Sequence, residues 1–158
     1  MTNLPDISIG VISDTHGLVR PEMRQELHGC DLILHAGDVG APDVLDELRA
    51  IAPLHVVRGN VDCGVWADAL PMTLEVEIKG LRFYLLHNIN QLDIDPVAEG
   101  FDAVIFGHTH LQHDEERDAV LYFNPASAGP RRHTLPVSMG RITIEGGCLH
   151  REFIQLAP

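Results

Sequence analysis

Apolar positions in the first half of the chain form short runs that alternate with amphipathic, helix-like segments. Strands and helices alternate in this order: residues 7–13, 21–29, 31–37, 41–50 and 54–60. Such alternation is typical of βαβ units and predicts a mostly parallel sheet. Pro21 and Pro42 suit the first turn of a helix, where a missing N–H is tolerated. Residues 61–70 are predicted to form a loop.

The second half is predicted to consist mainly of strands. Residues 72–87 predict a hairpin that turns at Lys79 and Gly80, because apolar and polar positions alternate in its first strand. A short helix is expected near residues 95–99. Four strand-like runs follow: residues 102–110, 119–125, 135–147 and 148–156. We expect this tail to form a second, antiparallel region packed against the first.

Length and composition are those of an ordinary globular protein. The 158 residues fit one domain, residues 1–158, and 45% of them are hydrophobic and 22% charged. The longest apolar runs are far too short to span a bilayer. The first residues carry no basic segment and therefore do not resemble a signal peptide. The sequence predicts a soluble, cytoplasmic protein with no membrane association.

Charge and cysteine content exclude two further classes. The formal net charge is −12 and the chain has only 11 lysines and arginines, which argues against general nucleic-acid binding. The cysteines, Cys30, Cys63 and Cys148, are odd in number and lie far apart without a CxxC pair. They are expected to be free thiols and not zinc or redox centres.

Side chains able to bind metals follow five of the predicted strands. In open α/β sheets, ligands bind at the carboxyl ends of the strands, so these side chains should meet at one edge although they span about a hundred residues. The seven candidates are Asp14, His16, Asp38, Asn60, His87, His108 and His110.

The spacing and chemistry of the seven candidates predict a centre with two metal ions. Asp14 with His16, and His108 with His110, are i, i+2 pairs that would project to the same side of an extended chain. Carboxylate, amide and imidazole ligands without sulfur suit manganese, iron, zinc or nickel. Seven ligands exceed the need of one ion and fit two ions that share one bridging carboxylate.

The order of the motifs resembles the calcineurin-like metallophosphoesterases, and the short length resembles their small bacterial and archaeal phosphodiesterases. The motifs are DTH, GD, GN, a single histidine and GHTH, with NPAS at residues 124–127. The resemblance implies an α/β fold, a two-sheet α/β/β/α sandwich with flanking helices. It also assigns the ligands to two sites. One ion would be held by Asp14, His16, Asp38 and His110, and the other by Asp38, Asn60, His87 and His108.

Three positions depart from the family pattern. Val61 stands where many relatives have a histidine that is assigned to leaving-group protonation or phosphate binding, so the general acid is unassigned. Asn88 follows His87 where glycine is common, and Ala126 replaces the glycine of NPGS.

Several nearby residues are candidates for the missing functions. Asp62, Cys63 and His133 are candidate proton donors, and Asp62 is also a candidate organiser of its loop. Asp62, Arg131 and Arg132 are candidates for binding the substrate or its phosphate, and the two arginines are alternatively ordinary solvated charges. His35 is either a support for the ligands or a core residue.

The predicted function is hydrolysis of a small phosphoester, foremost a phosphodiester. A hydroxide bridging two divalent ions would attack phosphorus, with Asp38, Asn60 and His108 at the catalytic centre. Manganese is favoured, with iron, zinc, nickel or cobalt as alternatives.

Other functions and properties stay open. The resemblance extends to a retromer subunit that binds protein partners, so a scaffold is the main alternative. Within enzymes, a phosphomonoesterase and a cyclic-nucleotide phosphodiesterase are further alternatives. With only eight aromatic residues, the sequence shows no evident pocket for stacking a base. The resemblance also leaves a homo-oligomer open.

Overall fold

A computed structural model describes residues 6–158, which form ten strands, four short α-helices and one 3₁₀ turn. In chain order the elements are β1 Ile7–Ile12, α1 Pro21–Leu27, β2 Leu32–His35, α2 Pro42–Arg49, β3 Leu54–Val56, α3 Val65–Asp68, β4 Thr73–Ile78, β5 Leu81–Leu86, the 3₁₀ turn Ile89–Gln91, α4 Pro96–Glu99, β6 Ala103–Ile105, β7 Gln112–Arg117, β8 Val120–Pro125, β9 Ser138–Glu145 and β10 Cys148–Gln155.

The strands form two five-stranded sheets. The first has the order β10-β9-β1-β2-β3, and the second has the order β4-β5-β6-β8-β7. Strands β1, β2 and β3 are parallel, as predicted. The prediction that the tail forms a separate antiparallel region is wrong. The β9–β10 hairpin extends the first sheet along β1, whereas β6 and β8 lie parallel in the second sheet.

The two sheets enclose one apolar layer and carry a further apolar layer on each outer face. Leu34 of the first sheet and Phe83, Ile105 and Phe123 of the second belong to the central layer. Helices α1 and α2 cover the outer face of the first sheet. The outer face of the second sheet is covered by the 3₁₀ turn and the segment that follows it. This arrangement confirms the α/β/β/α sandwich.

Most element boundaries follow local sequence signals. Pro21 and Pro42 begin α1 and α2, as expected. The side chain of Asp95 caps α4 by accepting hydrogen bonds from the N–H groups of Val97 and Ala98.

Two elements differ from the prediction. The loop expected at residues 61–70 contains the single helical turn α3. Strand β7 was missed because its residues, QHDEER, lack apolar alternation. A polar sequence is stable there because β7 is an edge strand that pairs with β8 alone.

Two expectations from composition can be compared with the structure. None of the helices within residues 6–158 is long and apolar enough to cross a membrane. Cys30, Cys63 and Cys148 are free thiols, as expected.

Candidate metal centre

The loops that follow β1, β2, β5 and β6 meet at one edge of the sandwich. The backbone N–H of Asp14 donates to the carbonyl of Gly37 at 2.9 Å, which joins the loops after β1 and β2. The N–H of Gly107 donates to the carbonyl of His87 at 2.9 Å, which joins the loops after β5 and β6. The predicted convergence of distant segments is therefore present in the structure.

One cluster of candidate ligands contains Asp14, His16 and His110. The Oδ1 atom of Asp14 lies 3.3 Å from Nε2 of His110 and 3.7 Å from Nε2 of His16. The two imidazole rings lie 5.4 Å apart between centroids. These three side chains could hold a single ion.

A second cluster contains Asp14, Asp38 and His87. Nε2 of His87 lies 3.2 Å from Oδ2 of Asp38 and 3.8 Å from Oδ1 of Asp14. The same Oδ2 atom of Asp38 lies 3.7 Å from Nε2 of His16. Asp38 therefore stands between the two clusters, as a bridging carboxylate must, and Oδ1 of Asp14 is also shared between them.

Asn60 and His108 form a pair beside the second cluster. Nδ1 of His108 lies 3.1 Å from Oδ1 of Asn60, and both side chains are exposed. The rings of His108 and His87 are 5.2 Å apart between centroids. All seven predicted ligands thus lie at one edge, with this pair on its solvent side.

The candidate ligands lie on strained turns and not on extended chain. The φ angles of Asp14, His16, His108 and His110 are 57°, 45°, 74° and 60°, and that of Asp38 is 58°. The geometric reason given for the i, i+2 pairs was therefore wrong, although each pair does reach the site. Positive φ costs a non-glycine residue about 1–3 kcal/mol, so five such residues at one site indicate a functional constraint.

Contacts outside the clusters fix which ligand atoms face the centre. Oδ2 of Asp14 accepts hydrogen bonds from Oγ of Ser13 at 2.6 Å and from the N–H of His108 at 3.1 Å. Oδ1 of Asp38 accepts from the N–H of Val61 at 3.0 Å. The other oxygen of each carboxylate, Oδ1 of Asp14 and Oδ2 of Asp38, faces the histidines of the centre.

Four buried polar atoms among the described residues lack a hydrogen-bond partner, and all belong to the candidate ligands. They are Oδ1 of Asp14, Nε2 of His16, Nε2 of His87 and Nδ1 of His110. A buried polar group without a partner is costly, whereas a bound cation would satisfy carboxylate oxygens and imidazole nitrogens together. The residues present therefore fit divalent metal ions of the type that accept mixed oxygen and nitrogen ligands.

A sequence profile of the calcineurin-like phosphoesterase superfamily domain matches residues 7–147. The chain belongs to this superfamily. It is 35% identical to a probable metallophosphoesterase of Methanothermobacter thermautotrophicus, and the alignment covers 93% of this chain and 91% of that protein. The curated relatives confirm the family that the motif order predicted.

Solved structures show the same fold. An archaeal phosphodiesterase has a TM-score of 0.78 and 25% identity, with 95% of this chain and 100% of that chain covered. A zinc complex of Vps29 from Entamoeba histolytica has a TM-score of 0.72 and 22% identity, with 96% and 100% covered.

In this calcineurin-like phosphoesterase, burial and close contacts act against one another on the acidic ligands. Burial raises the pKa of Asp14, but close contacts with His110, His16 and Ser13 outweigh it, so the pKa lies well below its ordinary value. Burial also opposes ionisation of Asp38, and its contacts with His87 and the N–H of Val61 lower its pKa overall. Both carboxylates are therefore ionised at neutral pH and ready to bind cations.

His87 shows the complementary shift. Burial lowers its pKa, but the nearby carboxylates of Asp38 and Asp14 raise it more, and the net shift is upward. Its Nδ1 donates to the carbonyl of Ala36 at 2.8 Å, which directs Nε2 toward the centre.

His35 is a buried support for the loops that carry the ligands. Its Nδ1 accepts from the N–H of Gly37 at 3.1 Å, so Nε2 carries the proton and donates to Oγ1 of Thr15 at 2.9 Å. The Thr15 hydroxyl donates onward to the carbonyl of Val39 at 2.9 Å. Complete burial lowers the pKa of His35 to about 4, so the ring is neutral at pH 7.

The Asp62 carboxylate lies inside the protein and binds backbone groups. It accepts hydrogen bonds from the N–H groups of Val39, Gly40 and Gly59 at 2.9 to 3.1 Å, and only 2% of the residue is exposed. Arg58 donates to the backbone carbonyl of Asp62 and forms its ion pair with Asp68. These contacts favour a loop organiser over a substrate-binding role.

The remaining predicted substrate residues lie on an exposed segment. Arg131 donates to the C-terminal carbonyl of Pro158, and Arg132 and His133 are exposed. Cys63 is also exposed, near the loop of Asn60. None of these four contacts a candidate metal ligand in the hydrogen bonds of the described residues.

Residues 124–127 support the site in a way that spacing alone did not show. Asn124 donates to the carbonyl of Gly107 at 3.0 Å, and Ser127 donates to the carbonyl of Asp14 at 2.9 Å. Ala126 adopts a φ of 66°, the conformation for which glycine is favoured. The motif therefore ties the two loops that bear Asp14 and His108.

Gly107 and Gly59 are required by close packing at the same edge. A Cβ atom on Gly107 would collide with Oγ of Ser13, and one on Gly59 would collide with Asp38. Glycine at these positions lets the neighbouring loops approach closely enough to form the centre.

Proposed function

We propose that this chain is a phosphodiesterase that depends on two divalent metal ions. The observation that carries the proposal is the set of unpartnered buried atoms on Asp14, His16, His87 and His110, which converge where a cation would satisfy them. Membership of the calcineurin-like phosphoesterase superfamily and the likeness to an archaeal phosphodiesterase support the reaction class.

The proposed ligands divide between two ions that share Asp38. The first set is Asp14, His16, Asp38 and His110, and the second set is Asp38, Asn60, His87 and His108. When bound, such ions supply hydroxide at neutral pH and neutralise charge on the phosphoryl group during in-line attack. Manganese is the first choice, with iron, zinc, nickel and cobalt as alternatives.

The side chains of this chain have distinct roles in the proposal. Asp38 holds the two sets together, and the hydrogen bond to Ala36 fixes the ring of His87. Asn60 and His108 lie at the solvent side of the centre, where an entering phosphate would pass. Arg131 and Arg132 are proposed phosphate contacts from the exposed loop, and Asp62 is proposed to position the backbone of Asp38 to Gly40.

The proposed substrate is a small phosphoester. Two divalent ions would carry a charge of +4, and the carboxylates of Asp14 and Asp38 carry −2. The centre would therefore attract phosphate although the net charge of the chain is −12. The few lysines and arginines make general nucleic-acid binding unfavourable.

The direct test is metal content followed by hydrolysis. Purified protein would be assayed for metals by mass spectrometry and then incubated with bis(p-nitrophenyl) phosphate and added manganese. We expect stoichiometric metal uptake and release of nitrophenolate, with phosphomonoester and cyclic-nucleotide substrates compared in parallel. His150→Gln is a suitable control, because His150 is exposed on β10 at a distance in sequence from every proposed ligand.

A protein-binding scaffold is the second candidate. It is supported by the likeness to Vps29 and by exposed apolar residues close in sequence to the ligands, namely Leu18, Val61 and Leu111. A protein that takes up no metal and hydrolyses none of the phosphoesters would favour the scaffold. Sedimentation of the same preparation would show whether the chain forms a homo-oligomer.

A further inference from the structure

A groove of about 410 Å³ opens on the outer face of the second sheet. Its walls come from the residues that follow β6, from the middle of β8, from the edge strand β7 and from the 3₁₀ turn. Six of the side chains that line it are Ile89, Phe106, Leu111, His113, Arg117 and Tyr122. The volume is within the range of pockets that hold a small organic ligand.

The groove adjoins the proposed metal centre along the chain. Thr109, which lines it, is the residue between His108 and His110, and Leu111 follows His110 directly. Ile89 lies two residues after His87 at the end of β5. Consecutive Cα atoms are about 3.8 Å apart, so the wall of the groove begins one residue away from the proposed ligands.

The walls of the groove are aromatic and apolar, and its polar side chains, His113 and Arg117, contact the aromatic rings. The rings of Phe106 and His113 lie 5.7 Å apart between centroids, and the guanidinium of Arg117 lies 4.2 Å from the centre of the Tyr122 ring. Phe106 and Tyr122 are only 5% and 8% exposed, so they form the buried floor of the groove. Leu111, in contrast, is 50% exposed at the rim.

Glu115 contacts two polar side chains of the groove, those of His113 and Arg117. Its Oε2 lies 2.9 Å from Nε2 of His113, and its Oε1 lies 3.1 Å from Nε of Arg117. The three side chains occupy alternate positions of β7 and so lie on the same face of the strand. A flat ring could pack against Leu111 and the imidazole while its edge met the polar groups.

We propose that this groove binds an aromatic ester group of the substrate while the phosphate occupies the metal centre. The proposal rests on the proposed phosphodiesterase function and narrows it to aryl or nucleoside phosphoesters. The shared chemistry is a flat ring carried by the esterified group, joined to the ester oxygen directly in an aryl ester and through the sugar in a nucleoside ester. The experiment uses one aryl and one nucleoside phosphoester, so that it distinguishes these two kinds of ligand.

Binding of phosphate monoesters tests the groove separately from turnover. Manganese-loaded protein would be titrated calorimetrically at pH 8 with methyl phosphate, phenyl phosphate and thymidine 5′-monophosphate, each of which has one ester group and a doubly charged phosphate. We expect phenyl phosphate or the nucleotide to bind about tenfold more tightly than methyl phosphate, because the ring buries apolar area that the methyl group lacks. The tighter of the two rings identifies the substrate class.

The variants are matched for exposure. Leu111→Asn should reduce the preference for the ring to about twofold and leave methyl phosphate binding unchanged. Val97→Asn is the control, because Val97 is 53% exposed in α4, before β6, away from the groove lining. His113→Ala provides a second test of the same wall and should also weaken ring binding.

The outcomes separate the groove from the reaction. Equal affinities of the three monoesters, or an unchanged preference in both groove variants, would overturn the groove proposal. Selective binding of a ring without hydrolysis of any diester would support the groove and overturn the proposed phosphodiesterase activity.

Discussion

Nε2 of His87 lies 3.2 Å from Oδ2 of Asp38, and this contact joins the second sheet to the first at the proposed metal centre. His87 follows β5 and Asp38 follows β2, so neither side chain could reach the centre unless the two sheets packed face to face. The same Oδ2 atom also faces His16. Asp38 therefore faces histidines of both clusters, whereas Asp14 is the ligand that the two clusters have in common.

Substitution of Asp38 by asparagine should abolish metal-dependent hydrolysis. The amide of the new side chain would keep an oxygen for the N–H of Val61 but would lose the negative charge between the two clusters. We expect the Asp38→Asn variant to lose at least about a hundredfold in kcat/KM and most of its bound metal. Metal analysis and diester hydrolysis measure both effects.

Asp118→Asn is a matched control for that substitution. Asp118 also has positive φ, 51°, but it is exposed in the turn between β7 and β8. Asparagine tolerates positive φ as well as aspartate does, so backbone strain is equal in the two variants. Near-normal metal content in Asp38→Asn would contradict its role as the shared ligand.

Asp62→Asn should mainly reduce the stability of the protein, and it should affect catalysis only indirectly, through metal binding. The carboxylate accepts three backbone N–H groups, and the amide nitrogen of asparagine would face one of these donors. We expect a loss of about 2 kcal/mol in the free energy of unfolding, together with weaker metal binding. Urea unfolding and metal titration measure these changes.

The alternative role of Asp62 predicts a different result. If Asp62 protonates the leaving group, Asp62→Asn should lower kcat for alkyl leaving groups even at saturating manganese, in addition to the loss of stability. Recovery of normal kcat at high manganese concentration would support the positioning role, since added metal would restore the ligands that the loop holds.

His35 should make the metal-free protein less stable in mild acid. Its pKa is about 4 in the folded protein, and its ordinary value is 6.5. The unfolded chain therefore binds a proton between these values that the folded chain does not, and the free energy of unfolding falls as pH decreases through this interval. The full effect is about 3 kcal/mol, and it is complete near pH 4.

The other shifted groups act in different pH ranges. Lowered pKa values of Asp14 and Asp38 remove stability only as pH falls below about 3.8, and the raised pKa of His87 removes stability as pH rises above 6.5. Unfolding in the presence of a chelator, from pH 4 to 6.5, therefore isolates His35. The His35→Asn variant should show a flatter pH profile there than the exposed control His150→Asn.

The convergence of the candidate ligands could be predicted from sequence, because the positions of the strand ends determine it. Asp14, Asp38 and His108 each come soon after an apolar strand, and they reach one edge of the sandwich regardless of how far apart the strands are in the chain. Left-handed backbone at these residues could not be predicted, since φ is set by the loops that pack around them. The hydrogen bond between His35 and Thr15 could not be predicted either, because the two residues are distant in sequence and meet only in the folded protein.

The aromatic groove and the edge strand β7 could not be predicted from the sequence for a related reason. Phe106 and His113 lie against each other only because β7 turns back along β8, and the polar sequence of β7 gave no sign of a strand. Pairing of the C-terminal hairpin with β1 was also not predictable, because period-2 alternation shows which face of a strand is buried but not which strand lies beside it.

Val61→His should broaden the range of leaving groups. Val61 is 44% exposed beside Asn60, and its N–H bonds to Asp38, so its side chain lies at the rim of the centre where a proton donor would be useful. Without such a donor, diesters with aryl leaving groups should react much faster than those with alkyl leaving groups. An imidazole with a pKa near neutrality should raise kcat for alkyl leaving groups by about tenfold or more.

The measurement compares two diesters that differ only in the leaving group, one aryl and one alkyl, in the native chain and in Val61→His. Val61→Gln controls for the size and polarity of the new side chain, because an amide cannot donate a proton as an acid does. The rate gain should be confined to the alkyl substrate and should decline above the pKa of the new histidine. Comparable rates for both diesters in the native chain would show instead that an acid other than residue 61 already serves this centre.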